Sequence, residues 1–112
     1  MPLIKVQTSL KDFDNSENLL KDLSAELSNL TSKPESYVMT LLQTGIPMTF
    51  GGSNEPSCFV EIKSIGSIDS KSMSDSFCRL ISNLTDIPTN RIYINFENIK
   101  ASEWGFNGKT FG

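Results

Sequence analysis

The sequence predicts an α+β domain in which two β-α-β units share one four-stranded mixed sheet, with both helices on one face. Three observations carry that prediction. Two helical stretches of three- and four-residue apolar spacing each lie between short apolar runs of strand character. A strand, a crossover helix and a second parallel strand make a right-handed unit, and two such units fit one sheet. The second half also repeats the first at an offset of 54 residues, since Ser28-Asn29-Leu30-Thr31 recurs as Ser82-Asn83-Leu84-Thr85 and Pro34 recurs as Pro88. Leu19, Leu23 and Leu27 fall on Met73, Phe77 and Ile81 at the same offset, and Pro2 and Val6 fall on Pro56 and Val60. The repeat spans approximately residues 2–43 and 56–96 of a single domain, 1–112.

In chain order, residues 2–8 read as a strand, with Leu3, Ile4 and Val6 as its apolar surface. Asp12, Asp14, Asn15 and Ser16 are turn and cap types, so a helix starts near Ser16. Leu19, Leu20, Leu23, Leu27 and Leu30 form its apolar face, and Lys33-Pro34 ends it because the residue before proline avoids the α region. The near-continuous apolar run Tyr37–Leu42 suits a strand covered on both faces. Gly45, Pro47, Gly51, Gly52 and Asn54 mark a loop over 44–55. A strand from Cys58 to Ile65 follows, then a turn from Gly66 to Ser70. A second helix carries Met73, Phe77, Leu80, Ile81 and Leu84, and a strand runs from Arg91 to Phe96. The remainder is a Gly-containing tail with Trp104, Phe106 and Phe111 and no regular period.

Composition excludes several classes of function. Thirteen acidic against ten basic residues, with no long basic cluster, argue against a nucleic-acid partner. No apolar run is long enough to span a membrane, and the first ten residues hold no signal-peptide apolar region, so cytoplasm is the expected compartment. Cys58 and Cys78, without partners at metal-ligand spacing, read as core thiols rather than a disulfide. Histidine is absent, which removes a Ser-His-Asp triad, a Cys-His pair and histidine-ligated metals.

A base for proton transfer must therefore come from elsewhere, and the start of the chain offers one. Methionine is commonly trimmed before proline, which would leave Pro2 as a free secondary amine. An α-amino group titrates near pH ~8, and burial or a neighbouring cation lowers it. Pro56, its counterpart in the repeat, lies in mid-chain and has only an amide nitrogen. If Met1 is retained, Pro2 too is an amide. The uncovered sheet face and the aromatic tail favour an oligomer, the alternative being a tail folded back on its own subunit.

Specific motifs add to this reading. They are Met1-Pro2, Lys33-Pro34 followed by Tyr37, Phe50-Gly51-Gly52-Ser53-Asn54-Glu55-Pro56, Ser64-Ile65-Gly66, Arg91-Ile92-Tyr93-Ile94-Asn95, and Gly105-Phe106-Asn107 with Thr110-Phe111. Over essentially its whole length the chain resembles the macrophage migration inhibitory factor and dopachrome tautomerase family of the tautomerase superfamily. The resemblance implies a homotrimer with active sites between subunits. It also implies cofactor-independent keto–enol tautomerisation of phenylpyruvate-like aromatic α-keto acids and dopachrome derivatives. By the same resemblance Pro2 is the general acid/base, Lys33 binds the substrate carboxylate and lowers the amine's pKa, and Ile65 offers a backbone N–H. Tyr93 and Asn95 would come from the adjacent subunit, while Tyr37, Trp104, Phe106 and Phe111 line an aromatic pocket. Judged without the family, Lys33 is a solvated residue at a helix end and the aromatics are packing residues.

Departures limit what carries over. Vertebrate members hold a Cys-x-x-Cys where this chain has Ser57 and Val60, with Cys58 between, so thiol–disulfide exchange is not expected. Phe106 stands where a tryptophan is usual, and Trp104 replaces a smaller residue. Loop Arg and Asp residues used for receptor binding appear here as Asp12 and Gly45, leaving receptor engagement unsupported. The alternative to an enzyme is a cytokine-like signalling ligand of the same family with a secondary pocket, exported without a signal peptide as some relatives are.

Overall fold

The computed structural model describes residues 1–112 and opens on strand β1, Pro2–Thr8, in which each even-numbered residue is buried and each odd one is half-exposed. Helix α1 (Ser16–Thr31) leads to β2 (Met39–Gln43), β3 (Cys58–Ser64) to helix α2 (Ser70–Thr85), and then β4 (Ile92–Asn98) follows. A hairpin of β5 (Gly105–Phe106) and β6 (Lys109–Thr110) closes the chain. The main sheet has the order β2-β1-β3-β4, with β1 parallel to β2, β3 parallel to β4, and β1 antiparallel to β3. Both helices lie on one face, as the alternating burial of β1 and β3 requires.

The core is a layer of Ile4, Val6, Val60 and Ile62 from the central strands under Leu19, Leu23 and Leu27 of α1 and Met73, Phe77 and Ile81 of α2. All ten are at most 1% exposed. The recurring Ser-Asn-Leu-Thr segment has a physical role at the helix ends. Ser28 donates its hydroxyl to the Lys33 carbonyl at 2.5 Å, and Ser82 donates to the Ile87 carbonyl at 2.6 Å. Thr31 and Thr85 donate to the carbonyls of Leu27 and Ile81, which satisfies two buried hydroxyls inside the last turns. After each helix the chain reverses through a left-handed residue, Ser32 at φ 56° and Asp86 at φ 62°. A proline-capped 3-10 turn comes next in each unit, Glu35–Tyr37 and Thr89–Arg91.

Three expectations are corrected. Helices, turns and the strands β2 and β4 repeat at 54 residues, but β1 and β3 do not. The connection before α1 is residues 9–15 and that before α2 is residues 65–69, so the longer first loop shifts the strand equivalence by two. Leu3 pairs with Met39 as Phe59 pairs with Tyr93, which makes Cys58, not Pro56, the structural counterpart of Pro2. Lys5 then maps onto Glu61, its own partner across the antiparallel ladder, so the approximate two-fold axis passes through that ion pair.

The second correction concerns β2, which is an edge strand rather than one covered on both faces. Met39 and Leu41 are 56% and 38% exposed, because only α1 packs on this strand and only from one side. Third, the tail is ordered into the β5–β6 hairpin. Its turn is Asn107-Gly108 at φ 54° and φ 79°, the left-handed pair that a two-residue hairpin turn demands.

Phe77 is fully buried between the helices and the sheet. Phe77→Ala is expected to lower unfolding free energy by about 3–5 kcal/mol, read as a fall in urea midpoint with an unchanged slope.

Candidate active site

Pro2 is buried at the head of β1, directly across the ladder from Ser64, the last residue of β3. Ile65 follows Ser64 and therefore flanks the proline, and the next residue, Gly66, is fixed by its N–H donating to Asn98 Oδ1 at 2.9 Å. The Ser64 hydroxyl is itself buried and makes no hydrogen bond. Lys33 approaches from the helix side. Its carbonyl is gripped by Ser28, its N–H donates to the Ser28 carbonyl at 3.2 Å, and Pro34 restricts the backbone beyond it.

The electrostatics at this end of the sheet favour a neutral amine. Burial, and then the positive charge of Lys33, hold the Met1 amino group below its ordinary value of 8.0. Both ion pairs of the chain lie elsewhere, Lys5 with Glu61 and Arg79 with Asp75, so no carboxylate is paired with Lys33. The cation is free to face an anionic guest.

Tyr37, at the end of its 3-10 turn, meets Phe106 of the hairpin edge-on at 5.8 Å between ring centroids. Phe111 stacks on Phe106 at 5.8 Å with the ring planes 8° apart. The three rings are 43%, 55% and 36% exposed and form an open aromatic wall. Trp104 stands apart from that wall. With Leu3, Lys63, Ile99, Glu103 and Gly105 it lines a cleft of about 280 Å³. Leu3 is the chain neighbour of Pro2 on the opposite sheet face, so this end of the sheet carries an amine position, a cation, an aromatic wall and a mixed polar and apolar cleft.

Tyr93 and Asn95 are not at that end within the same chain. Tyr93 pairs with Phe59 and Asn95 with Glu61, whereas Pro2 pairs with Ser64. Five residues of strand separate the Tyr93 and Pro2 levels, about 17 Å at the usual rise. Both side chains project from the uncovered sheet face on the outer strand β4, and Tyr93 is 64% exposed. Within one chain they stand well away from Pro2.

Two features, one at this end of the sheet and one at the other, leave no mark in residue spacing. Lys63, opposite Leu3 and lining the Trp104 cleft, adds a second cation near the site. Arg91 clasps the loop before β3 through several carbonyls, although only its membership of a motif was legible. The structure contains no cluster of three His, Cys, Asp or Glu side chains that could hold a metal ion.

Cys58 occupies the position that Pro2 has in the first unit, but it is a poor nucleophile. Burial pushes its thiol up to about 12, with a smaller contribution from Cys78. Cys78 is also raised, by burial and then by Asp75, and it is half-exposed. Alkylation by iodoacetamide at pH 8 is therefore expected to modify Cys78 slowly in the native chain and Cys58 only after unfolding, as mapped by peptide mass.

Known proteins resemble this chain in sequence and in fold. The family pattern for macrophage migration inhibitory factor matches residues 1–112. A macrophage migration inhibitory factor homolog of Trichinella spiralis is 37% identical over 114 residues, covering 99% of this chain and 100% of that one. The Mus musculus macrophage migration inhibitory factor is 32% identical over 114 residues, with 99% of each chain covered. Among solved structures, the homologue from Prochlorococcus marinus has a TM-score of 0.94 at 48% identity, covering 98% of this chain and 99% of that one.

Proposed function

The chain belongs to the macrophage migration inhibitory factor family, with its tautomerase-superfamily fold, and on that premise we propose that it is a cytoplasmic, cofactor-independent keto–enol tautomerase of phenylpyruvate-like α-keto acids. The observation that supports this most is the lowered amine at the start of the chain, with Lys33 as one of its two causes. Pro2, one residue further into the buried strand, becomes the chain's amine once Met1 is removed. Lys33 would then act on it as it acts on the Met1 amine, and Pro2 is the more deeply enclosed of the two.

In the reaction, the neutral Pro2 amine takes a proton from the carbon beside the keto group, and the electron pair moves onto the carbonyl oxygen. The ammonium then delivers that proton to the oxygen, giving the enol, and the reverse sequence ketonises it. Lys33 holds the substrate carboxylate, and the Ile65 N–H faces the oxygen on which charge develops. Tyr37, Phe106 and Phe111 provide an aryl-binding wall, while Trp104 shapes the adjoining cleft.

Assembly as a homotrimer completes the site. Leu3, Met39, Leu41 and Tyr93 share the uncovered sheet face, and β2 and β4 both present unpaired edges. A closed symmetric ring of copies covers both and brings Tyr93 and Asn95 of one subunit to the Pro2 end of the next.

The test is phenylpyruvate ketonisation followed in the ultraviolet, on protein whose N-terminus is defined by intact mass. Turnover is expected from Met1-trimmed protein and not from a Met1-retained sample. Absence of turnover in trimmed, folded protein overturns the proposal.

The pH profile has a defined sign. Only the uncharged amine is a base, so kcat/KM rises with pH through the amine's pKa and levels above it. Because burial and Lys33 both lower that pKa, the rising limb lies below the ordinary α-amino range near pH ~8. Lys33→Ala removes one cause, so the limb moves to higher pH, and KM for phenylpyruvate rises with the loss of the carboxylate's partner.

A further inference from the structure

Arg91 makes more side-chain hydrogen bonds than any other residue in the chain. Its Nε donates to the Pro56 carbonyl at 2.9 Å and its Nη1 to the Phe50 carbonyl at 3.2 Å. Nη2 donates to the carbonyls of Ser53 and Glu55 at 3.3 and 2.9 Å. All three guanidinium nitrogens are thus engaged with one loop. That loop turns through Gly51 and Gly52, at φ 60° and φ 77°, and is closed by reciprocal Phe50–Ser53 backbone hydrogen bonds of 2.9 and 3.1 Å. The positive φ values explain the two glycines, and the turned-in carbonyls need a donor array, which Arg91 supplies.

The clasp also sets an aromatic ring. The Arg91 guanidinium lies over the Phe50 ring at 5.3 Å, and Phe50 packs against Tyr93 at 4.6 Å between centroids with planes at 51°. Tyr93 is otherwise 64% exposed on an edge strand, where Phe50 packs against its ring and Phe59 stands beside it in register on β3. A tyrosine held in this way keeps a single direction outward from the sheet. A tyrosine without such support samples several rotamers and loses that order on each binding event.

We propose that Arg91 is a positioning residue for the neighbouring subunit's active site, acting through Phe50 to hold Tyr93 in the orientation that closes on substrate. The proposal rests on the reading that Tyr93 works across a subunit boundary. Lysine cannot replace the arginine, because one ammonium has neither the planar fork nor the reach to serve four carbonyls. The charge is the same; the geometry is not.

The experiment uses Met1-trimmed, full-length protein with phenylpyruvate as substrate, and compares wild type with Arg91→Lys, Phe50→Leu, Tyr93→Ala and the double variant Arg91→Lys/Tyr93→Ala. Arg91→Lys is expected to raise KM about tenfold while kcat stays within about twofold, because binding order is lost and the proton-transfer groups are untouched. Phe50→Leu keeps the clasp and removes the ring, and it is expected to reproduce the rise in KM. The double variant is expected to be no worse than Tyr93→Ala alone, since the two side chains act as one unit.

An unchanged KM in Arg91→Lys, an unchanged KM in Phe50→Leu, or full additivity in the double variant overturns the proposal. A merely structural arginine would lower the folded fraction and kcat without that split. Tyr93→Ala with unaltered kinetics would instead overturn the reading that Tyr93 closes a site, and this proposal with it. The Tyr93 ring resonances give a readout independent of turnover. The upfield shift from the Phe50 ring should persist in wild type and collapse in Arg91→Lys, and its persistence in that variant contradicts the proposal even if no substrate is turned over.

Discussion

The antiparallel ladder between β1 and β3 joins two units whose apolar faces neither could bury alone. Seven residue pairs run from Pro2↔Ser64 to Thr8↔Cys58, with Lys5 and Glu61 at the centre. On the helix side, Ile4, Val6, Val60 and Ile62 present one continuous apolar surface, on which both helices rest. Burial of this kind is the main favourable term in folding, and here it depends on register. A slip of one residue would turn the core residues of β1 out to the open face and bring Lys5 and Gln7 inward. The same register places Pro2 opposite Ser64 and beside Ile65, so the alignment that makes the core also makes the site.

Approximate two-fold symmetry has been put to different uses at the two ends of the sheet. Tyr37 and Arg91 each close a proline-capped 3-10 turn, 54 residues apart. Each is met by a phenylalanine arriving from the segment that follows the other end's strand: Phe106 packs edge-on to Tyr37, and Phe50 lies beneath Arg91. In the first unit the result is an aromatic wall near an amine position and a lysine. In the second it is a clasped loop over a buried thiol that burial keeps protonated. The strand equivalence, Pro2 with Cys58, explains why only one end can offer a basic nitrogen. Chain position, not sequence alone, separates the two halves.

Much of this was legible in the residues. Of the apolar helix faces read from spacing, Leu19, Leu23, Leu27, Met73, Phe77 and Ile81 are buried, while Leu20, Leu30, Leu80 and Leu84 are half-buried at their margins. The repeat located both helices and both proline turns, because hydrogen bonds from Ser28, Thr31, Ser82 and Thr85 fix those segments locally. Strand equivalence was misjudged because a two-residue difference in a loop leaves no mark on hydrophobic period. The apolar run Tyr37–Leu42 suggested a doubly covered strand, yet hydropathy does not say whether the cover comes from the same chain. The Asn107-Gly108 turn is a hairpin signal, but the flanking strands are only two residues long and carry no period of their own. For the site, Pro2 lies across the ladder from Ser64, whose chain neighbour is Ile65, and the charge of Lys33 acts on the Met1 amine. Trp104 stands apart from the aromatic wall in its own cleft, and the Arg91 clasp depends on loop geometry that no spacing rule reveals.

The N-terminal amine, partly buried and near the charge of Lys33, is held below its ordinary value. The most direct measurement is an NMR titration of the Pro2 nitrogen in Met1-trimmed protein, with Lys33→Ala beside it. A midpoint below the ordinary α-amino range near pH ~8, moving upward in the variant, is the predicted result. A midpoint at or above that range, unaffected by loss of the lysine, would mean that the site holds an ammonium instead of a base, and would contradict the account.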